Sequence, residues 1–197
     1  MGGVPPPGRH HRARGRGRVR HGAEAGLVAF AFKQRIIALL DSDLDLADAF
    51  ELAARSPDNP ERFLSCLVVV VDPAGQRLSW VNAGHPPGLV VDRQHRDIVR
   101  ELGPTGPLIS AVSKGWSVRT TLFGPDDMLV ACTDGVPEAR GPDGTEFGLA
   151  GLVGVMKGLS RWSPDEAVAE CREAVRRFAV DVRRDDVTCV ALALAAH

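Results

Sequence analysis

"RFLSCLVVVVDPAGQRLSWVNAG", residues 62–84, carries two apolar runs joined by a short turn. The first run, 62–72, is continuous and β-branched and ends in Asp72-Pro73-Ala74-Gly75, whose composition specifies a turn. The second, 76–84, is placed to return as its hairpin partner. A connection this tight makes the two strands antiparallel, because a parallel pair needs a crossover of a dozen or more residues.

The same logic extends outward. "GLVVD" (88–92) reads as a short strand, followed by a polar turn and a further strand at 98–102. "GWSVRTTLF" (115–123) alternates as a half-buried strand does, and "GPDD" (124–127) turns the chain into the apolar "MLVACT" (128–133). "DDVTCVALAL" (185–194) predicts a terminal strand. Helical patterning appears at 23–40, 44–55, 146–159 and 163–179. The last is the clearest: Ser163 suits an N-cap, Pro164 the first helical position, and Asp165 and Glu166 the positive end of the helix dipole. Helices, strands, helices and a final strand, with hairpin-length links, predict an α+β fold of antiparallel sheets packed with helices.

The formal net charge of −1 conceals an asymmetry. Residues 1–20 hold six arginines and no acid, in a Pro/Gly/Arg segment with almost nothing to bury, which predicts a disordered basic tail. Residues 21–197 keep 18 of the 24 basic residues against all 25 acids, a net of about −7, and this argues against nucleic acid as a partner. No stretch reaches the ~18 apolar residues of a membrane span, and no uninterrupted signal-peptide core follows the N-terminus. No membrane partner is therefore expected, and the cytoplasm is the expected location. Cys66, Cys132, Cys171 and Cys189 are far apart and form no C-x-x-C pair, so buried reduced thiols are expected.

Two acidic sites stand out by position. Asp134, followed by Gly135, leaves the end of the 128–133 run, and Asp185-Asp186 open the final one. If those strands are neighbours, their ends bring carboxylates together, and hard divalent ions such as Mg²⁺ or Mn²⁺ need only a few carboxylates and water. Both are equally residues common in turns. "NAGHPPG" (82–88) specifies a rigid corner, with Gly84 to turn it and His85 as ligand, acid, base or structural hydrogen-bonder. Arg119, Arg140, Arg183 and Arg184 are candidates to meet a phosphate, or simply solvated surface.

Together, "SWVNAGHPPGLVV", "GPTGPLIS", "GPDDMLVACTDGVPEARGPDGTEFG" and "RRDDVTCVALAL" stand in the order seen in bacterial metal-dependent protein serine/threonine phosphatases. The chain resembles the type-2C-like (PPM) relatives of the SpoIIE/RsbU kind from about His21 to its end. That resemblance implies an α-β-β-α sandwich over 21–197 and a dinuclear Mn²⁺ or Mg²⁺ centre. It implies hydrolysis of phosphoserine or phosphothreonine on a STAS-type anti-anti-sigma partner in sigma-factor signalling, and it is compatible with a dimer. By position Asp134 and Asp185 match metal aspartates, while Gly135, Asp186, Gly84 and His85 match residues that shape the site.

The sequence departs from the family pattern upstream. His21-Gly22 stand where D-x-x-G-x-G ends, but Gly17 occupies the aspartate's place and Arg20 that of the middle glycine. The earlier G-D-x-x-D segment and its strands have no counterpart, and no acid precedes Glu24. The expectation is a domain incomplete at its N-terminus, with a non-homologous 1–20 tail, exposed sheet edges and weak or absent activity. A non-catalytic, pseudophosphatase-like module that binds a signalling partner is the alternative.

Overall fold

The computed structural model describes residues 23–42, 44–55, 63–179 and 187–195. The basic tail and the positions of Gly17 and Arg20 lie outside them, as do Arg183, Arg184, Asp185 and Asp186. Helices α1 (Ala23–Leu40) and α2 (Leu46–Ala54) come first, then strands β1 (Cys66–Asp72), β2 (Arg77–Ala83), β3 (Gly88–Asp92), β4 (Asp97–Leu102), β5 (Arg119–Leu122) and β6 (Asp127–Cys132). Helices α3 (Gly148–Lys157) and α4 (Pro164–Phe178) and strand β7 (Cys189–Ala193) complete the chain.

The strands form two sheets, β1-β2-β5 and β4-β3-β6-β7, and every pairing within them is antiparallel. The 62–84 hairpin forms as expected, with Asp72 opposite Arg77 and Asp72 Oδ1 accepting the Gly75 N–H at 2.9 Å across the turn. Side-chain alternation builds four layers. Leu78 and Trp80 of β2 meet Val90, Leu102 and Leu129 between the sheets, with Phe123 fully buried among them. The opposite parity of β2, Val81 and Ala83, packs under α1 and α2, where the Phe50 and Trp116 rings meet at a tilt with a 5.2 Å centroid distance. Leu89, Val91, Met128, Val130 and Cys132 face α3 and α4 instead. The result is the α-β-β-α sandwich expected above.

Two details differ from the sequence pattern. Strand β5 begins at Arg119, not at 115, because the preceding segment is used elsewhere. Trp116 fills the space beside Gly106, where a Cβ would lie 2.3 Å from its Cδ1, and Ser117 N–H donates to Thr105 O at 3.1 Å rather than to a strand. Strand β7 is shorter than the 185–194 run, and its Val190 and Leu192 are exposed at the sheet edge.

Helix α4 starts as its sequence requires, Ser163 Oγ accepting the Glu166 N–H at 3.3 Å. Glu166 does more than complement the dipole: it accepts from Ser160 Oγ at 2.6 Å, Ser160 N at 2.9 Å and Arg161 N at 2.7 Å. The Ser160 hydroxyl, with help from these backbone donors, lowers its carboxyl from 4.5 to about 2. A depressed folded-state value means the bonds contribute fully above the unfolded value near 4.5 and are lost as pH falls toward 2. Glu166→Gln, which takes up no proton, is therefore expected to lower the melting temperature above pH 5 and to converge with the wild type as pH approaches 2. Parallel melting profiles across that range would show that Glu166 holds no such advantage.

Candidate functional site

The corner after β2 is built around Asn82, a polar side chain with no solvent exposure. Its Nδ2 donates to Leu102 O at 2.9 Å and its Oδ1 accepts the His85 N–H at 2.9 Å. Its backbone N–H donates to Thr105 Oγ1 at 3.0 Å, and its carbonyl accepts the Thr105 N–H at 2.8 Å. A buried amide with its bonds made adds only about 1 kcal/mol each, whereas a broken one costs about 1–3 kcal/mol, so Asn82 works chiefly as a positional lock. Gly84 turns the chain at φ +70°, where a Cβ would also lie 2.5 Å from Leu108 Cδ2. Only glycine takes that conformation without strain.

His85 is thereby fixed on a half-buried corner, its Nδ1 2.9 Å from Pro86 O. A carbonyl only accepts, so this contact requires the proton on Nδ1 and leaves Nε2 as the acceptor of the neutral ring.

Across from this corner, β6 and β7 run side by side in one sheet, the arrangement on which the pairing of Asp134 with Asp185-Asp186 depends. Cys132 lies opposite Cys189, and one step further Thr133 N–H donates to Thr188 O at 2.9 Å while Thr188 N–H donates to Thr133 Oγ1 at 2.9 Å. Asp134 is the next residue out of the sheet. It is exposed, its Oδ1 accepts the Gly135 N–H at 3.0 Å, and its carbonyl accepts the Glu138 N–H at 2.9 Å to start a tight turn. Buried Gly135 and Val136 hold that turn against the sheet. Asp185 and Asp186 lie just before Val187, where the described chain resumes beside this clasp.

Gly84, His85, Asp134, Glu138 and Glu146 line one open pocket of about 390 Å³, walled by Pro86, Pro87, Pro104 and Pro137. Three of these side chains are carboxylates, and no arginine or lysine joins them among the described residues. Arg140 is tied to Glu146 at 2.5 Å and to Gly144 O at 3.2 Å, and Arg119 sits opposite Trp80 on β5, outside the pocket lining. The pocket's acids repel a phosphoester; Arg140 offsets this at Glu146, and no residue of the described lining adds positive charge.

The three carboxylates offer a hard divalent ion its oxygen donors, although the rest of the lining is largely apolar and the three do not by themselves converge to a cage. The one group of three ligand-type side chains whose ligand atoms all lie within 4.8 Å of each other, among the described residues, is Cys132, Cys171 and Cys189. Asn82, Glu138 and Glu146 were not among the residues singled out from sequence. A polar residue inside the apolar run "SWVNAG" was the available signal for Asn82, while the two glutamates look like any loop acid.

No helix among the described residues is long and apolar enough to cross a membrane. Over 133 residues, 66% of its length, the chain is 26% identical to Protein IcfG of Synechocystis sp. (strain ATCC 27184 / PCC 6803 / Kazusa), of which it spans only 20%. The fold is shared with the SiaA-PP2C domain of Pseudomonas aeruginosa at a TM-score of 0.73 and 19% identity, covering 90% of this chain and 73% of that one. It is also shared with the RsbU and RsbW domains of Rv1364c from Mycobacterium tuberculosis at a TM-score of 0.70 and 22% identity, covering 88% of this chain and 49% of that one. The sequence pattern of one family matches residues 19–195, nearly the whole chain, and on that match the chain belongs to the family of Stage II sporulation protein E (SpoIIE).

Proposed function

We propose that this chain is a metal-dependent protein serine/threonine phosphatase domain that acts on phosphoserine or phosphothreonine of a STAS-type regulatory protein. The observation that carries the reading is the acid-lined pocket at the exit of β6, with Asp134 at its rim and no basic side chain among its described lining. Such a pocket suits an anionic substrate once divalent cations neutralise it, and Mn²⁺ or Mg²⁺ match its oxygen donors. Asp134 and Asp185 would hold the ion, with Asp186 and Gly135 supporting them. When bound, the ion supplies Lewis-acid polarisation of a phosphoryl oxygen and a lowered pKa for water.

The chain's own residues set the geometry around that chemistry. The proline walls and the Asn82 lock keep the corner rigid, so the pocket is preorganised for an ordered phosphopeptide loop. His85, with its Nδ1 proton engaged, offers Nε2 as an acceptor toward a site water. Partner recognition by an acidic domain of this kind fits a soluble phosphoprotein rather than nucleic acid or a lipid surface.

Turnover is expected to be low, because Gly17 and Arg20 stand where the family pattern has an aspartate and a glycine. Those same positions favour a second reading, a non-catalytic module that binds the phosphoprotein or its kinase.

Hydrolysis of p-nitrophenyl phosphate separates the two. Slow Mn²⁺-dependent turnover is expected, falling by more than about tenfold in Asp134→Asn, with Mn²⁺ binding by calorimetry weakened in parallel. Turnover unchanged by Asp134→Asn would contradict the assignment. Absence of metal-dependent turnover, with retained binding of a phosphorylated STAS protein, would establish the second reading.

A further inference from the structure

Three of the four cysteines meet in space although they are scattered in sequence. Cys132 of β6, Cys171 of α4 and Cys189 of β7 have sulfur atoms all within 4.8 Å of one another. Cys132 and Cys171 are buried and Cys189 is half-buried, within the apolar contact of α4 with the β6–β7 pair. The Cys132 thiol donates to Cys189 Sγ at 3.0 Å. All three are free, and no imidazole or carboxylate joins the group among the described residues.

We propose that Cys132, Cys171 and Cys189 form a binding site for one soft metal ion, with monovalent copper as the ion that fits. A donor set made only of sulfur selects soft ions and rejects the Mg²⁺ or Mn²⁺ proposed for the oxygen-lined pocket. Among soft ions, structural zinc takes four protein ligands, and iron–sulfur clusters of the all-cysteine kind take four thiolates. Three sulfurs without a fourth partner leave a three-coordinate ion, a geometry monovalent copper accepts. Metal–sulfur bonds of about 2.3 Å place three sulfurs about 4 Å apart, inside the observed spread. Entry of the ion displaces thiol protons to solvent and opens the Cys132–Cys189 contact by about 1 Å, with no change of oxidation state at sulfur or metal.

The position gives the site a consequence. The ion would bind α4 to β6 and β7, two residues before Asp134 in β6 and three residues after Asp186 at the start of β7. It would stabilise the folded chain by mass action, and because Cys132 also lines the pocket, it would sit in the pocket's wall.

The test uses the full chain, fully reduced and free of oxygen, titrated with monovalent copper against a chromophoric copper(I) chelator such as bicinchoninate. One equivalent is expected to be retained, with a rise in melting temperature. Cys171→Ala and Cys189→Ala, each shown to be folded by circular dichroism, are expected to lose more than about 100-fold in affinity, beyond what loss of an outer partner of a ligand causes. Cys66→Ala, whose thiol belongs to the separate core under α1 and α2, is expected to bind as the wild type does. Failure of the wild type to retain copper, or equal retention in Cys171→Ala, would overturn the site. So would zinc displacing copper from it at equal concentration.

Discussion

The pairing of β6 with β7 carries two burdens at once. It buries the apolar face that α3 and α4 cover, and its Thr133–Thr188 clasp fixes where the chain leaves the sheet. Asp134 is the first side chain past that clasp, so its position is set by the Thr133–Thr188 hydrogen bonds together with its own bond to the Gly135 N–H. The clasp also aligns Cys132 with Cys189, and α4 packing across the pair brings Cys171 to both. A shift of one residue in this register would send Met128, Val130 and Cys132 toward the other sheet and carry the acid away from the pocket. The apolar core therefore enforces the geometry of the polar site.

The opposite wall of the pocket depends on a different device. Asn82 occupies a fully buried position among the apolar residues Trp80, Val81 and Ala83, and its side chain ties the Gly84–His85 corner to the end of β4. The four prolines around the pocket cannot provide this anchoring, since they restrict φ but donate no hydrogen bond. One wall thus hangs from a sheet register and the other from a buried amide. Both are stiff, which suits a site whose chemistry depends on fixed distances.

Much of the architecture was legible from residues alone. The turn Asp72–Gly75 between a β-branched run and its return strand announced the antiparallel hairpin, and the Ser163–Glu166 spacing announced the start of α4. Asp134 could be picked out because an acid followed by glycine interrupts an apolar strand. What stayed hidden depends on contacts between distant parts of the chain. The segment before Arg119 alternates like a strand, but Trp116 is drawn against Phe50 and Gly106 and the ladder begins late. The three cysteines carry no spacing signal, because a helix and two strands supply them separately. Asn82 reads as an ordinary polar residue until its burial is known.

Anomalous diffraction from Mn²⁺-soaked crystals of the chain tests the central claim most directly. A manganese peak within bonding distance of an Asp134 carboxylate oxygen, shared with Asp185 and absent from Asp134→Asn crystals, is the result this account predicts. A pocket that stays empty at saturating Mn²⁺, or a peak that leaves Asp134 uncoordinated, would contradict it.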